Sequence, residues 1–245
     1  MTAALELSAI HLRHGPNHVL RGVDLRLQGG ELVGLIGPNG AGKSSLMQVI
    51  AGTQRRDGGS VRIAGIDLDA DPLAARAALG VAVAPERLPA LLSGRQCIEL
   101  VADLRGQRDG LEQSWALAER LGFAPWLDHP VHACSLGTRQ KLAIVQALIG
   151  RPPLLLLDEA LNGLDPLAAR ALKDELRQRA DAGSAVLLAT HGLEVAERFL
   201  DRAVLLLDGR IAADWDRDCL RDFRADPRGG LEFAVAERLR GAHSS

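Results

Sequence analysis

The sequence predicts an α/β fold in which a mostly parallel sheet carries a phosphate-binding loop. Three observations lead to this prediction. Residues Gly37–Ser44 fit the pattern G-x-x-x-x-G-K-[ST] and lie between an apolar strand and a helix. Short apolar segments alternate with helical ones later in the chain, which is typical of parallel sheets covered by helices. The stretch 87–149 has a helical pattern throughout, so it is predicted to be an inserted α-helical subdomain.

The amino-acid composition limits which classes of function are expected for this chain. The 245-residue chain is 47% apolar and 24% charged, with a net charge of −2. Because it has neither an excess of basic residues nor many aromatic rings (3%), we expect no nucleic-acid partner. No apolar run approaches the roughly 18 residues of a membrane span, so we expect the chain not to cross a membrane. The scattered Cys97, Cys134 and Cys219 are predicted to be free thiols in a reducing cytoplasm.

Two strands are predicted before the loop, over Leu5–Leu12 and Val19–Leu27. Apolar and polar residues alternate in both segments, as in half-buried strands. A further strand is predicted over 61–66, after the helix that follows the loop. Together these segments predict a small antiparallel sheet beside the phosphate-binding loop.

The loop itself has the chemistry that phosphate binding needs. Strand Glu31–Ile36 leads into it, and a helix is predicted over Lys43–Ala51. Glycines let the backbone N–H groups turn inward, and the helix N-terminus adds roughly +0.5 charge. Lys43 is expected to reach the β- and γ-phosphates of a nucleotide, and the Ser44 hydroxyl to bind Mg²⁺. The residues predicted to bind nucleotide here are Gly37, Pro38, Asn39, Gly40, Ala41, Gly42, Lys43, Ser44 and Ser45.

The rest of the chain continues the alternation of helices and strands. Asp71 and Pro72 are predicted to begin a helix as its N-cap and first residue, and Ser93–Gln96 form a capping-box pattern. Residues after Asp214 are charged and weakly patterned, and they support no prediction. The other predicted strands are Gly80–Ala84, Leu154–Leu157, Ala185–Ala189 and Ala203–Leu207, and the other predicted helices are Glu112–Leu121, Leu136–Ile149, Asp165–Ala180 and Leu193–Phe199.

Two carboxylates directly follow the apolar strand Leu154–Leu157. Ligands of open α/β sheets bind at the C-terminal ends of the strands, so Asp158 and Glu159 are expected to face the phosphate-binding loop. Asp158 is predicted to hold Mg²⁺, through water, opposite Ser44. Glu159 projects to the other side of the strand and is predicted to polarise a water molecule for in-line attack on the γ-phosphate.

Together with three later motifs, these features resemble the ATP-binding-cassette (ABC) ATPases over roughly residues 4–214. Each motif occurs in the order that the family shows. The resemblance implies a P-loop NTPase (RecA-like) core over 1–86 and 150–215, a helical subdomain over 87–149 and a C-terminal tail over 216–245. The motifs are Gly37–Ser44 (Walker A), Cys134–Gln140 (signature), Leu154–Glu159 (Walker B), Asn162–Asp165 (D-loop) and Thr190–His191 (H-loop).

The resemblance also implies roles for single residues in a shared ATP site. Ser135 and Gly137 lie at the start of a predicted helix, where a hydroxyl and backbone N–H groups form an anion receptor. By resemblance they bind the γ-phosphate of ATP held by the opposite subunit, so that two cassettes form a head-to-tail homodimer or heterodimer. His191 is expected to donate a hydrogen bond to the γ-phosphate. The catalytic residues are then expected to be Glu159, His191 and Lys43.

Several positions differ from the usual family pattern. The signature has Leu136 where Gly is usual, and Thr138 where Gln or Met is common. Glu86 stands where a Gln usually senses Mg²⁺, and its carboxylate is expected to ligate the ion or its water. His14 stands where an aromatic ring usually stacks on adenine, and it is either an adenine contact or an ordinary turn histidine.

The predicted function is an ATP-hydrolysing motor subunit, with ATP and Mg²⁺ as cofactors, that drives export through separate membrane-spanning subunits. These permease subunits are expected to dock near residues 86–105, which resemble the docking segment of exporters. The subunit is then expected to be cytoplasmic and peripheral on the inner face of the cell membrane. The alternatives are the ATPase subunit of an ABC importer and a soluble ABC ATPase acting on ribosomes or DNA.

Overall fold

The computed structural model describes residues 2–226 and 229–242, which form two sheets and a set of flanking helices. The strands are β1 (Leu5–His14), β2 (Asn17–Leu27), β3 (Leu32–Ile36), β4 (Gly58–Ile63), β5 (Ile66–Asp67), β6 (Leu79–Ala82), β7 (Leu154–Asp158), β8 (Ala185–Ala189), β9 (Arg202–Leu207) and β10 (Arg210–Trp215). The helices are α1 (Lys43–Ile50), α2 (Pro72–Ala77), α3 (Gly94–Leu104), α4 (Leu111–Arg120), α5 (Leu136–Ala147), α6 (Pro166–Asp181), α7 (Leu193–Phe199), α8 (Arg217–Ala225) and α9 (Gly230–Ala242).

The larger sheet is mostly parallel, as predicted. Its strand order is β10-β9-β3-β8-β7-β6, and only β10 runs antiparallel to its neighbour. Every residue of β3 and β8 is buried, which is typical of strands covered on both faces. Because β3, β7 and β8 are parallel neighbours, the loops that follow them lie at one edge of the sheet. That edge carries the phosphate-binding loop, Asp158 and the loop after Ala189.

The smaller sheet is antiparallel, also as predicted, with the strand order β2-β1-β4-β5. Its hairpin is longer than the sequence pattern suggested, since β1 continues to His14 and β2 begins at Asn17. The cross-strand pair His14 and Asn17 extends the ladder, so the turn is confined to Gly15 and Pro16. The buried face of this sheet shares an apolar core with Leu46 and Ile50 of α1. The smaller sheet therefore supports the helix that follows the phosphate-binding loop.

Helices α3, α4 and α5 form the predicted helical insertion between β6 and β7. Ser93 caps α3 in a capping box, because its hydroxyl accepts from the Gln96 N–H (3.2 Å) and the Gln96 side chain accepts from the Ser93 N–H (2.9 Å). Gly94 is required beside the buried Phe123, since a Cβ there would lie 2.6 Å from the ring. β6 ends at Ala82, earlier than predicted, because Pro85 starts a 3-10 turn on the way into the insertion.

After Asp214, where the sequence supported no prediction, the described residues form the end of β10 and the two helices α8 and α9. β10 ends at Trp215, whose ring meets Phe223 of α8 edge-on at 5.9 Å. The Asp216 side chain caps α8 by accepting from the Cys219 N–H at 2.9 Å. Leu220 is fully buried, so these helices are part of the apolar core rather than a loose extension.

Two expectations from composition concern cysteines and membrane spans. Cys97, Cys134 and Cys219 are free thiols, as predicted. Burial raises the pKa of Cys97 to about 11, so this thiol is held in its neutral form. No helix within 2–226 or 229–242 has the length and apolarity of a membrane span.

Candidate active site

The phosphate-binding loop connects β3 to α1 in a backbone conformation that requires glycine. Gly37, Gly40 and Gly42 have φ angles of 153°, 81° and 104°. A Cβ at Gly37 would also lie 2.3 Å from the carbonyl oxygen of Leu206, so there is no room for a side chain. Gly42 is the N-cap of α1, and no side chain in the described part of the chain caps this helix. The first N–H groups of α1 are therefore available to an anion.

Lys43 places a positive charge at the centre of this loop. The residue is only 7% exposed. Its ammonium donates to the carbonyl oxygens of Gly37 (2.7 Å) and Pro38 (3.1 Å). An ammonium has three N–H donors, so these two bonds leave one for a phosphate oxygen.

Asp158 ends β7 beside the loop and is arranged as a cation ligand. Burial raises the pKa of its carboxyl, and a hydrogen bond with Ser44 opposes part of that shift. The buried Oδ1 atom of Asp158 has no hydrogen-bond partner within the described residues. Such an atom is costly unless a cation or water satisfies it, and Mg²⁺ prefers carboxylate and hydroxyl oxygens. Ser44 and Asp158 therefore fit Mg²⁺.

Glu159 directly follows Asp158 in a strained backbone conformation. Its φ of +50° lies in the left-handed region, which disfavours residues with a side chain. The conformation is held because its N–H donates to Ala189 O (2.9 Å) and its carbonyl accepts from Asn162 N (3.0 Å). The carboxylate accepts from Asn162 Nδ2 at 2.9 Å and lies 3.0 Å from His191 Nδ1. Sequence reasoning missed this role of Asn162, although the residue begins the predicted D-loop.

His191 lies on the loop between β8 and α7, and this loop is anchored to β3. The N–H of the buried Thr190 donates to Leu35 O at 3.1 Å, and its hydroxyl accepts from Gly192 N at 3.0 Å. β3 is also the strand that leads into the phosphate-binding loop. The structure thus brings His191, Glu159 and the loop to one edge of the sheet, as their positions at strand ends predict.

The signature segment docks on the D-loop of the same chain. Ser135 is the N-cap of α5, and its exposed hydroxyl accepts from Thr138 N at 3.1 Å. Lys141 on the same helix donates to the Asp165 carboxylate at 2.7 Å. That hydrogen bond, with another from Ala168 N–H, lowers the pKa of Asp165 to about 2. The helix N-terminus at Ser135 is thereby oriented by a contact that the motif pattern alone does not reveal.

A cavity of about 430 Å³ separates the nucleotide-binding core from the signature helix. Glu86 lines this cavity together with Ser44 and Asp158, the two predicted cation ligands. Binding of Mg²⁺ by Glu86 stays a prediction. No group of three or more His, Cys, Asp or Glu side chains within the described ranges forms a metal cage of its own. Lining residues include Ser44, Glu86, Asp158 and Glu159 on the core side, with Leu136, Gly137 and Gln140 on the helix side.

Two other predicted nucleotide contacts lie on the core. His14 is exposed at the end of β1, opposite Asn17. Ser45 is half-buried in the first turn of α1. Contacts of His14 with adenine and of Ser45 with phosphate stay predictions.

The sequence profile of a family described as ABC transporter matches residues 20–162. This chain belongs to the ABC transporter family. The resemblance inferred from the motifs is therefore confirmed. The protein is an ATP-binding subunit of an ABC transporter, and its enzymatic activity is ATP hydrolysis.

Relatives of this ABC ATPase include subunits of transporters with different names. YdbJ, an uncharacterized ABC transporter ATP-binding protein of Bacillus subtilis (strain 168), is 34% identical over 86% of this chain and 68% of its own length. The daunorubicin resistance ATP-binding protein DrrA2 of Streptomyces coeruleorubidus is 32% identical over 96% of this chain and 73% of its own length. The lipoprotein-releasing system ATP-binding protein LolD 2 of Caulobacter vibrioides is 38% identical over 79% of this chain and 88% of its own.

Solved structures share the fold of this ABC ATPase. The ATP-binding subunit of an ABC transporter superposes with a TM-score of 0.88 at 30% identity, covering 96% of this chain and 99% of that one. A dimeric ATP-binding cassette in a post-hydrolysis state with ADP and Pi has a TM-score of 0.77 at 25% identity, covering 87% and 98%. The predicted P-loop NTPase fold and ATPase activity are thereby confirmed.

Proposed function

We propose that this ABC ATPase is the motor subunit of an exporter and that Glu159 activates the water that attacks ATP. The observation that carries this proposal is the placement of the Glu159 carboxylate between His191 and Asn162. It lies at the sheet edge that also presents Lys43 and Asp158. A carboxylate held by two partners is oriented to accept a hydrogen bond from water in line with the γ-phosphate.

The remaining groups of the core are proposed to hold the triphosphate. Backbone N–H groups of the loop and α1, together with Lys43, bind the β- and γ-phosphates. Since Nδ1 of His191 faces Glu159, its other ring nitrogen is the one proposed to bind the γ-phosphate. Ser44 and Asp158 would hold Mg²⁺, and Glu86 lines the same cavity. When bound there, Mg²⁺ neutralises part of the charge on the phosphates.

The signature helix is proposed to complete the ATP site of a second cassette, in a homodimer or a heterodimer. The Ser135 hydroxyl and the N-terminus of α5 are exposed and form an anion receptor. In its own chain this helix contacts the D-loop, since a Cβ at Gly137 would lie 3.1 Å from Gly163 O and Lys141 donates to Asp165. A dimeric cassette among the solved structures supports this arrangement.

The segment 86–105 is proposed to dock on permease subunits, which places the protein on the cytoplasmic face of the membrane. Leu91 and Leu104 in this segment are 86% and 79% exposed, and Leu100 is 44% exposed. Leu100 and Leu104 are four residues apart on α3, so they lie on one face of the helix. Clustered exposed apolar side chains mark interaction surfaces.

The names of two relatives support export and suggest two candidate cargo classes. The relative DrrA2 is a daunorubicin resistance protein, which supports outward movement of amphipathic small molecules. The relative LolD 2 belongs to a lipoprotein-releasing system, which supports a lipid-modified cargo as a second candidate. Inside-out vesicles that contain the complex separate the two. ATP-dependent uptake of daunorubicin supports the first class, and release of a lipoprotein without drug uptake supports the second.

The hydrolytic part of the proposal is tested by Glu159→Gln. We expect turnover to fall roughly 10²-fold or more, the usual contribution of a general base, while the Kd for ATP stays near that of wild type. Glu194→Gln, an exposed substitution on α7, is the matched control and is expected to keep wild-type turnover. Wild-type turnover in Glu159→Gln would remove Glu159 from the catalytic role.

A further inference from the structure

The helix that follows the His191 loop, α7, is covered on its outer side by the C-terminal helices α8 and α9. Leu220 of α8 and Leu231 of α9 are fully buried, and both belong to the apolar core that contains Ala196 of α7. These helices lie outside the motifs that bind ATP. Their contact with α7 nevertheless connects them to the loop that carries His191.

Glu197 of α7 is the point at which both C-terminal helices are bound. Its Oε2 atom accepts from the Leu231 N–H at 2.8 Å, in the first turn of α9. Its carbonyl oxygen accepts from the Arg224 guanidinium at 2.6 Å, on α8. Gly230 allows this approach, since a Cβ there would lie 2.5 Å from the Glu197 carboxylate. One residue of α7 thus holds two separate helices.

The inner side of α7 packs directly on the strand that leads into the phosphate-binding loop. Ala196 and Leu200 lie against Gly34 of β3, where a Cβ would be 2.5 Å from Leu200 Cδ1. At the other end of the His191 loop, Thr190 is fixed to the same strand. The loop is therefore anchored upstream by the sheet, and downstream by a helix held between β3 and the C-terminal pair.

α7 has only seven residues, and no side chain in the described part of the chain caps its N-terminus. Isolated helices shorter than about 12 residues are marginal in water, so α7 depends on packing for its stability. Loss of the outer contacts therefore loosens α7 first. His191 lies just before α7 and 3.0 Å from Glu159. A shift of α7 would therefore move the His191 side chain directly.

We propose that Glu197 is a positioning residue for ATP hydrolysis. Its side chain ties α9 to α7 and its carbonyl oxygen ties α8 to α7. These contacts keep His191 beside Glu159, so the C-terminal helices help to position the two proposed catalytic groups. The inference rests on the proposed role of His191 and adds to it the element that fixes its position.

The test compares full-length Glu197→Ala, Glu197→Gln and Glu194→Ala with wild type. For Glu197→Ala we expect kcat to fall about tenfold, the effect of losing one hydrogen bond to a charged group, with KM for ATP unchanged within about twofold. Gln retains an acceptor for the Leu231 N–H, so it is expected to restore most of the rate. Glu194 pairs with Arg198 on the same helix, and its substitution is expected to leave the rate unchanged.

A second readout follows the ring of His191 itself. In protein labelled with ¹⁵N-histidine, its signals are identified by their loss in His191→Ala. We expect these signals to move in Glu197→Ala and to keep their wild-type positions in Glu194→Ala. Gly230→Ala, which pushes on the same carboxylate, is expected to move them too and decides the question if Glu197→Ala does not fold.

The outcomes separate this inference from the proposed function. If His191→Ala keeps wild-type turnover, the role proposed for His191 fails. If His191→Ala loses turnover while Glu197→Ala and Gly230→Ala keep both the rate and the histidine signals, the positioning role of Glu197 is overturned.

Discussion

The two parts of the molecule that we propose bind phosphate are built in opposite ways. On the core side, Lys43 is buried and bonded to loop carbonyls, and Asp158 has a raised pKa and an unsatisfied buried oxygen. On the signature side, Ser135 is an exposed N-cap whose helix is held at the D-loop by the partly exposed Lys141–Asp165 pair. The first side is a preformed site for a phosphate and a cation. The second presents the same kind of anion receptor outward, which fits its proposed role as half of a site in another cassette.

Substitution of Lys43 should have the largest effect, because it removes the only cation buried in the loop among the described residues. Lys43→Met keeps the apolar stem and removes the charge. We expect turnover to fall roughly 10²–10³-fold, the range for losing one preorganised donor to a developing anion, together with a weaker ATP Kd measured by calorimetry. Lys173→Met on α6 is the control, since that ammonium lies over the Phe199 ring, away from the loop. Equal turnover in both variants would contradict the account of the core side.

The Ser135→Ala variant should distinguish the function of the signature side from that of the core side. We expect ATP binding to the monomer to be unchanged, while ATP-induced association and turnover are lost. Because Ser135 is also an N-cap, the variant should lose about 1 kcal/mol of stability. Ser93→Ala removes the cap of α3 at a similar cost but lies outside the signature, so it should keep both association and turnover. A weaker ATP Kd for the Ser135→Ala monomer would show that the signature serves its own chain.

The pKa of Asp158 predicts a dependence on pH and Mg²⁺. The folded-state pKa of Asp158 is raised above the ordinary 3.8. Ionisation of Asp158 therefore lowers the free energy of unfolding as pH rises from about 3.8 through the folded-state pKa. Without Mg²⁺, Asp158→Asn should therefore have a higher Tm than wild type at neutral pH, and this difference should disappear below about pH 3.8. Mg²⁺ with ATP should raise the Tm of wild type much more than that of the variant. A lower Tm for the variant at neutral pH without Mg²⁺ would contradict this account.

The smallest effect is expected at the ion pair between Lys141 and Asp165. Lys141→Met should lower the Tm only slightly at neutral pH, because the carboxylate is exposed. The pKa of Asp165 is depressed to about 2, so the stabilisation is present above the ordinary 3.8 and is lost as pH falls toward 2. The Tm difference between variant and wild type should shrink over that range. An unchanged difference at pH 2 would indicate a contact that is not electrostatic.

Local patterns predicted the core side well. Gly37, Gly40 and Gly42 are required by left-handed φ angles, and four leucines followed by Asp158 and Glu159 specify a buried strand that ends at the ligand edge. Both features depend on residues adjacent in sequence, so the sequence displays them directly.

Contacts between distant segments were not predictable in the same way. Asn162 reaches Glu159 only because the backbone of Glu159 adopts a left-handed turn, and Lys141 reaches Asp165 across two separate elements. The C-terminal helices were missed because their surface residues are highly charged, which hides the apolar face that includes Leu220 and Phe223. The signal that was available there is the helical spacing of those two residues.

If each chain supplies half of each ATP site, two cassettes must come together around ATP. Native mass spectrometry of Glu159→Gln, purified with ATP and Mg²⁺ from host membranes, counts the cassettes in the complex. We expect complexes with two cassettes, either two 26.1-kDa copies or one copy with a different cassette, and we expect that adding Ser135→Ala separates them. A complex with a single cassette, or a pair that persists with Ser135→Ala, would contradict the shared ATP site.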